Sequence, residues 1–103
     1  MRRAEVALHG VAAGQLVEEV PGRLYRFAYA AGYAGPPISL TLPVRAEPYA
    51  FEEFPPFFDG LLPEGFQLEA LLRQKKLDRE DRFGQLVAVG ADTVGAVTVR
   101  EVP

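Results

Sequence analysis

The stretch Phe54-Pro55-Pro56-Phe57-Phe58-Asp59-Gly60-Leu61-Leu62-Pro63-Glu64-Gly65-Phe66 separates a strand-forming half of this chain from a helix-forming half. It sets four phenylalanines and two leucines among three prolines and two glycines. Each aromatic ring hides on the order of 150–250 Å² when buried, so rings this dense either build a core or bind something. The prolines and glycines permit only short helical turns with sharp corners between them. Most of the stretch reads as a core hinge. Phe66 does not. A helix starting at Pro63–Glu64 places Leu68, Leu71 and Leu72 on one buried stripe. At about 100° per residue, Phe66 then lies roughly 160° from Leu68, on the side of Glu69 and Arg73. Two readings stay open at this point: Phe66 is an anchor for a partner, or it folds back as a staple over the turn at 57–62.

Upstream of the hinge the pattern is that of strands. Residues 4–9 alternate, with Val6 and Leu8 on one face, and Gly10 permits a turn. Residues 12–20 end at Pro21-Gly22, a strong turn signal. Residues 23–29 put Tyr25, Phe27 and Tyr29 on one face and Leu24, Arg26 and Ala28 on the other. These three strands form an antiparallel meander. Ile38, Leu40 and Leu42 alternate again, which predicts a short strand over 38–42, closed by Pro43, with all three aliphatic side chains facing the same core. Residues 44–53 have no clear period and read as a connection.

Downstream, helical periodicity covers about 55–90. A first helix spans about 64–76, its two lysines at the C-terminal end complementing the helix dipole. A second begins near Asp78, with Asp81 completing a capping pattern and Phe83, Leu86 and Val87 forming the buried stripe. Gly90 is placed to stop it. Residues 95–102 form a last strand, with Val97 and Val99 inward. The fold class is α+β: a small antiparallel sheet with a helical segment, in one domain over 1–103.

Composition bounds the function. At 103 residues, 49% of them hydrophobic, the chain builds a single core. It has no run of the roughly 20 apolar residues needed to span a bilayer and no signal-peptide pattern, so a cytoplasmic location is expected. Cysteine is absent, which excludes disulfides and thiolate metal sites. A net charge of −3 argues against direct nucleic-acid binding. Nine arginines to two lysines, no asparagine and nine prolines lean toward a thermophilic source.

Catalytic chemistry finds little support. The single histidine, His9, sits at a strand end before a glycine with no serine or acid placed beside it. Neither phosphate-cradling glycine pattern occurs, and the strand lysine and paired aspartates of a protein kinase are missing. The acids Glu52, Glu53, Asp59 and Glu64 lack the close alternation of a calcium loop and read as solvated. No cofactor and no metal is expected, and the chain is read as non-enzymatic.

Three segments, in order and spacing, resemble a known family. They are Pro37-Ile38-Ser39-Leu40-Thr41-Leu42-Pro43, then Phe57-Phe58-Asp59-Gly60-Leu61-Leu62-Pro63-Glu64-Gly65, then 81–97, which reads DRFGQLVAVGADTVGAV. Together with Phe27-Ala28-Tyr29 they are similar to the N-terminal subdomain of HipA-type serine/threonine kinases, the toxins of HipBA toxin–antitoxin modules. The similarity covers about residues 14–102. Gly60 departs from it, standing where a polar residue is expected. In a full-length HipA-like kinase this subdomain precedes the catalytic body and packs against its N-lobe. The resemblance, with Pro103 following the last strand, implies a HipS-type small protein acting on a separate HipT-type kinase, with a HipB-type DNA-binding protein as an indirect partner. The function it implies is an antitoxin that binds and inhibits a HipA-family kinase; the alternative is a scaffold subunit that completes a split kinase without inhibiting it. The expected partner-binding residues are Pro63, Glu64, Phe66, Glu69 and Arg73.

Overall fold

A computed structural model describes residues 1–93 and 95–103; Val94, within the third motif, lies outside the described residues. Among the described residues, five antiparallel strands form one sheet in the order β4-β3-β2-β1-β5, and three α-helices follow the fourth strand in sequence. The α+β expectation holds.

The meander is built from local signals. β1 (Arg2–Leu8) and β2 (Val11–Val20) pair from Leu8↔Val11 to Arg2↔Glu18. The two residues between them, His9 and Gly10, have φ of 51° and 80°, the pair of positive values that a type I′ hairpin turn requires. At the next turn Gly22 takes φ 72° and the Arg23 amide donates to the Val20 carbonyl at 2.9 Å. That turn delivers β3 (Leu24–Tyr29) back along β2. Alternation then decides the faces. Ala4, Val6, Leu16, Tyr25, Phe27 and Tyr29 are buried on the helix side. The other face carries ion pairs such as Arg26–Glu19 at 2.6 Å and Arg100–Glu5 at 3.0 Å. β5 (Val97–Val102) closes the far edge against β1, with Val97 and Val99 inward as expected.

The strand expected at 38–42 is not a strand. Ile38 and Leu42 are buried, but Leu40 is 95% exposed. The Leu42 amide donates to the Ser39 carbonyl at 3.1 Å, and the Thr41 amide to the Ser39 hydroxyl at 3.2 Å, so the segment is a turn. Its ends are held by one side chain. The Tyr29 hydroxyl accepts from the Ile38 amide at 3.0 Å and donates to the Leu42 carbonyl. A tyrosine thus supplies the hydrogen bonds that a neighbouring strand would have given. The strand on that side is instead β4 (Tyr49–Phe51), inside the stretch expected to be a connection, paired with Tyr25–Phe27 of β3.

The hinge turns the chain onto the sheet. Phe58 of α1 (Pro56–Asp59) is fully buried with its ring 5.7 Å from that of Phe27, and Phe54 meets Tyr25 edge-on at 5.4 Å. α2 (Gly65–Lys75) and α3 (Arg82–Val89) follow. α3 starts later than the sequence suggested. Asp81 is its N-cap and accepts from the Gly84 amide at 3.0 Å, whereas Asp78 caps only the preceding turn, through the Glu80 amide at 2.9 Å. Gly90 does not stop α3 by a left-handed turn. Its φ is −58°, and the chain continues into a 3-10 turn over Gly90–Asp92. Glycine is required there for close approach, because a Cβ would stand 1.9 Å from the Val99 carbonyl oxygen of β5.

Candidate functional site

The hinge corner decides how α2 is presented. After Leu62, Glu64 is extended (φ −129°, ψ 164°), and Gly65 then takes φ 58°, a left-handed value that side chains resist. The chain therefore breaks sharply before α2 begins. The side chain of Glu64, the N-cap residue, makes no capping hydrogen bond. At the other end Lys76 adopts φ 55° and returns its amide to the Leu72 carbonyl, a left-handed C-terminal stop with Arg73 and Lys75 in the last turn. The inward stripe is as expected: Leu71 is buried, and Leu68 and Leu72 are half-buried.

The outward face is what remains. Phe66 is 95% exposed. That overturns the staple reading, since a ring folded back over residues 57–62 would be covered. Glu69, Ala70 and Arg73 are exposed on the same side of the helix, at the i, i+3, i+4 and i+7 positions counted from Phe66. Glu69 already accepts a hydrogen bond from Arg79 in the link to α3. Among the described residues Arg73 makes no ion pair. Glu64 is exposed at the corner. Pro63 stands apart from this face. It is half-buried and lines a groove of about 420 Å³ between the hinge, α2 and the end of α3. Leu61, Leu62, Leu71 and Val89 form the apolar wall of that groove, with Gln67 and Thr93 as its polar groups. Of the five expected residues, three share one helix face, Glu64 flanks it, and Pro63 faces the groove behind.

Sequence reasoning missed the groove and the fully exposed Leu40. It also missed the polar network that seats α3. Glu18 is buried, and its carboxylate accepts from the Arg2 guanidinium at 2.8 Å and from the Tyr25 hydroxyl at 3.3 Å. Arg2 reaches on to Asp81 at 2.7 Å and lies 4.9 Å over the Phe83 ring. Its hydrogen bond, with help from the Gly84 amide, holds the Asp81 carboxyl below its ordinary range. Burial first, then the Glu18 charge, push the Tyr25 hydroxyl up. Gln85, also buried, donates to the Asp78 and Arg79 carbonyls at 3.0 Å each, pinning the α2–α3 link. These groups satisfy one another and tie α3 to the sheet and to the α2–α3 link. Among the described residues, no three His, Cys, Asp or Glu side chains gather as a metal site, and no helix is long and apolar enough to cross a membrane.

Comparison with known proteins fixes the family. Residues 4–100 match the family model of the HipA N-terminal domain. This chain belongs to the HipA N-terminal domain family. A solved structure titled N-terminal domain of HipA toxin superposes with a TM-score of 0.77 at 29% identity, covering 100% of this chain and 94% of that one. An uncharacterized protein of Haemophilus influenzae is 32% identical over 101 residues, covering 98% of this chain and 93% of its own length. The "Putative kinase Y4mE" of Sinorhizobium fredii is 39% identical over 61 residues, but the match spans only 14% of that protein. The chain therefore aligns with nearly all of one relative and, over 59% of its own length, with a small part of a much longer one.

Proposed function

We propose that this HipA N-terminal domain acts as a non-catalytic, antitoxin-like regulatory subunit that binds a HipA-family serine/threonine kinase and inhibits it. The observation that carries the reading is the exposure of Phe66, a large ring standing 95% free on the outer face of α2 in a member of this family. Phe66 is the apolar anchor. Glu64, Glu69 and Arg73 make a charged rim that tunes partner choice and association rate more than affinity. Pro63 sets the corner from which the helix projects. The relation of the family to HipA toxins, and the kinase designation of one relative, support a kinase as the partner. A HipB-like DNA-binding protein joins through that kinase, and the cytoplasm is the compartment such a partner implies.

The test is a pull-down of the purified chain with a HipA-family kinase from the same genome, followed by the kinase's activity with and without the chain. A stoichiometric complex with suppressed phosphorylation is expected. A complex with raised activity replaces inhibition by the alternative role, a scaffold that completes a split kinase. Absence of any complex overturns both.

A further inference from the structure

We infer that the outer face of α2 is self-complementary, so that two copies of this chain pair through it about a two-fold axis. The face carries Phe66, Glu69, Ala70 and Arg73, all exposed, over less than two helical turns. Two such helices laid antiparallel bring residue 66 level with 73 and residue 69 level with 70. Ala70, the smallest of the four, sits at the centre of the crossing, where it permits close approach of the two backbones. The partner's Arg73 then lies over the Phe66 ring, in reach of Glu69 one turn further along. That contact is a cation over an aromatic face beside a carboxylate. The two-fold axis repeats it, because the same patch serves on both copies.

Charge along the helix favours the same arrangement. Glu64 and Glu69 mark the N-terminal half; Arg73, Lys75 and Lys76 mark the C-terminal half. Antiparallel pairing opposes the halves of unlike sign, while parallel pairing opposes like charges. Arg79 occupies one oxygen of Glu69, Oε1, which leaves the other for the partner's Arg73.

Two helices of 11 residues bury far less than the roughly 1,200 Å² at which stable interfaces begin. The dimer is therefore weak, with a Kd of about 10–1,000 μM. The pairing stands without the kinase reading. If that reading holds as well, the two uses of Phe66 exclude each other, and kinase dissolves the dimer.

The experiment is sedimentation of the purified chain from about 10 μM to 1 mM, at low and high salt. A reversible monomer–dimer equilibrium that weakens with salt is expected. Glu69→Lys alone and Arg73→Glu alone each set like charges opposite one another and weaken dimerisation by about tenfold or more. An equimolar mixture of the two variants restores it, because each lysine then meets a glutamate and each remaining arginine a remaining Glu69. Both side chains are exposed, and thermal melts of each variant confirm its fold. A monomer throughout the range, or a mixture no more associated than the single variants, overturns the inference. A chain that dimerises in this way yet binds no kinase overturns the proposed function and leaves the pairing standing.

Discussion

Phe66→Ala separates the two things a phenylalanine can do. At 95% exposure the side chain contributes almost no buried area to the fold. Its removal should change stability by about 0.5 kcal/mol or less, and alanine's better helix propensity favours the variant by a few tenths. The melting temperature therefore stays within about 4 °C of the parent. Binding is another matter. Full burial of a phenylalanine side chain is worth about 1.5–3 kcal/mol, which translates into roughly 10- to 150-fold in Kd. Most of that appears as faster dissociation. Titration calorimetry or surface plasmon resonance against the kinase, beside a thermal melt of the free chain, reads both quantities on one preparation. Phe66→Leu keeps much of the apolar volume and recovers part of the affinity. Unchanged kinase binding with an unchanged melt sinks the anchor assignment. A melt lowered by more than about 10 °C would show that the ring is packed, and the premise of exposure fails.

Four further outcomes follow from the geometry. Arg2→Met leaves the Glu18 carboxylate, whose side chain is 4% exposed, with only the Tyr25 hydroxyl, and costs about 3 kcal/mol in denaturant melts; adding Glu18→Leu recovers most of it. Asp81 has its folded pKa lowered by Arg2 and the Gly84 amide, so its contribution is present above the ordinary value of 3.8 and lost as pH falls below it; Asp81→Asn should flatten that acid limb. Gly90→Ala drives a methyl to 1.9 Å from the Val99 oxygen and costs about 2 kcal/mol or more, whereas Gly60→Ala, at φ −66° with its nearest neighbour at 3.4 Å, is neutral or stabilising. Hydrogen exchange should be faster in α2 than in the β1–β2 hairpin, because α2 buries only Leu71 and has no side-chain cap; equal protection would contradict that ordering.

What could be read from the chain was what its neighbours in sequence determine. The hairpins at His9-Gly10 and Pro21-Gly22 were legible because a turn residue and a period of two are local signals. The 38–42 turn was misread for a physical reason. Its alternation of Ile38, Leu40 and Leu42 is genuine, but the partner of its backbone is a tyrosine hydroxyl nine residues upstream of Ile38, which no local pattern announces. β4 is three residues long, too short to show a period. The angle put Phe66 off the leucine stripe, since it depends only on helix geometry, but it left anchor and staple open until the ring's exposure was seen. The groove behind Pro63 could not be found this way, because the hinge, α2 and the end of α3 must all be in place before it exists. Glu18 was equally silent, for a buried acid is recognised only by its partners, and Arg2 lies 16 residues away.

The two long helices are anchored unequally, and the proposed binding face lies on the less anchored one. α3 is held by many groups at once: the Asp81 cap, the Arg2 bridge to Glu18, the Gln85 hydrogen bonds, and the approach of Gly90 to β5. Phe83, Gly84, Gln85 and Leu86 are all buried, so beyond the exposed Arg82 its first turns offer little surface. α2 rests on one buried leucine and two half-buried ones, between a glycine corner and a left-handed stop. The fold asks little of its outer side chains. Phe66, Glu69, Ala70 and Arg73 can therefore be shaped by a partner without loss of the core, while a change at Arg2 or Glu18 is felt by the whole domain. The same separation lets substitutions on α2 test the proposed recognition by itself, on an element that the core needs little.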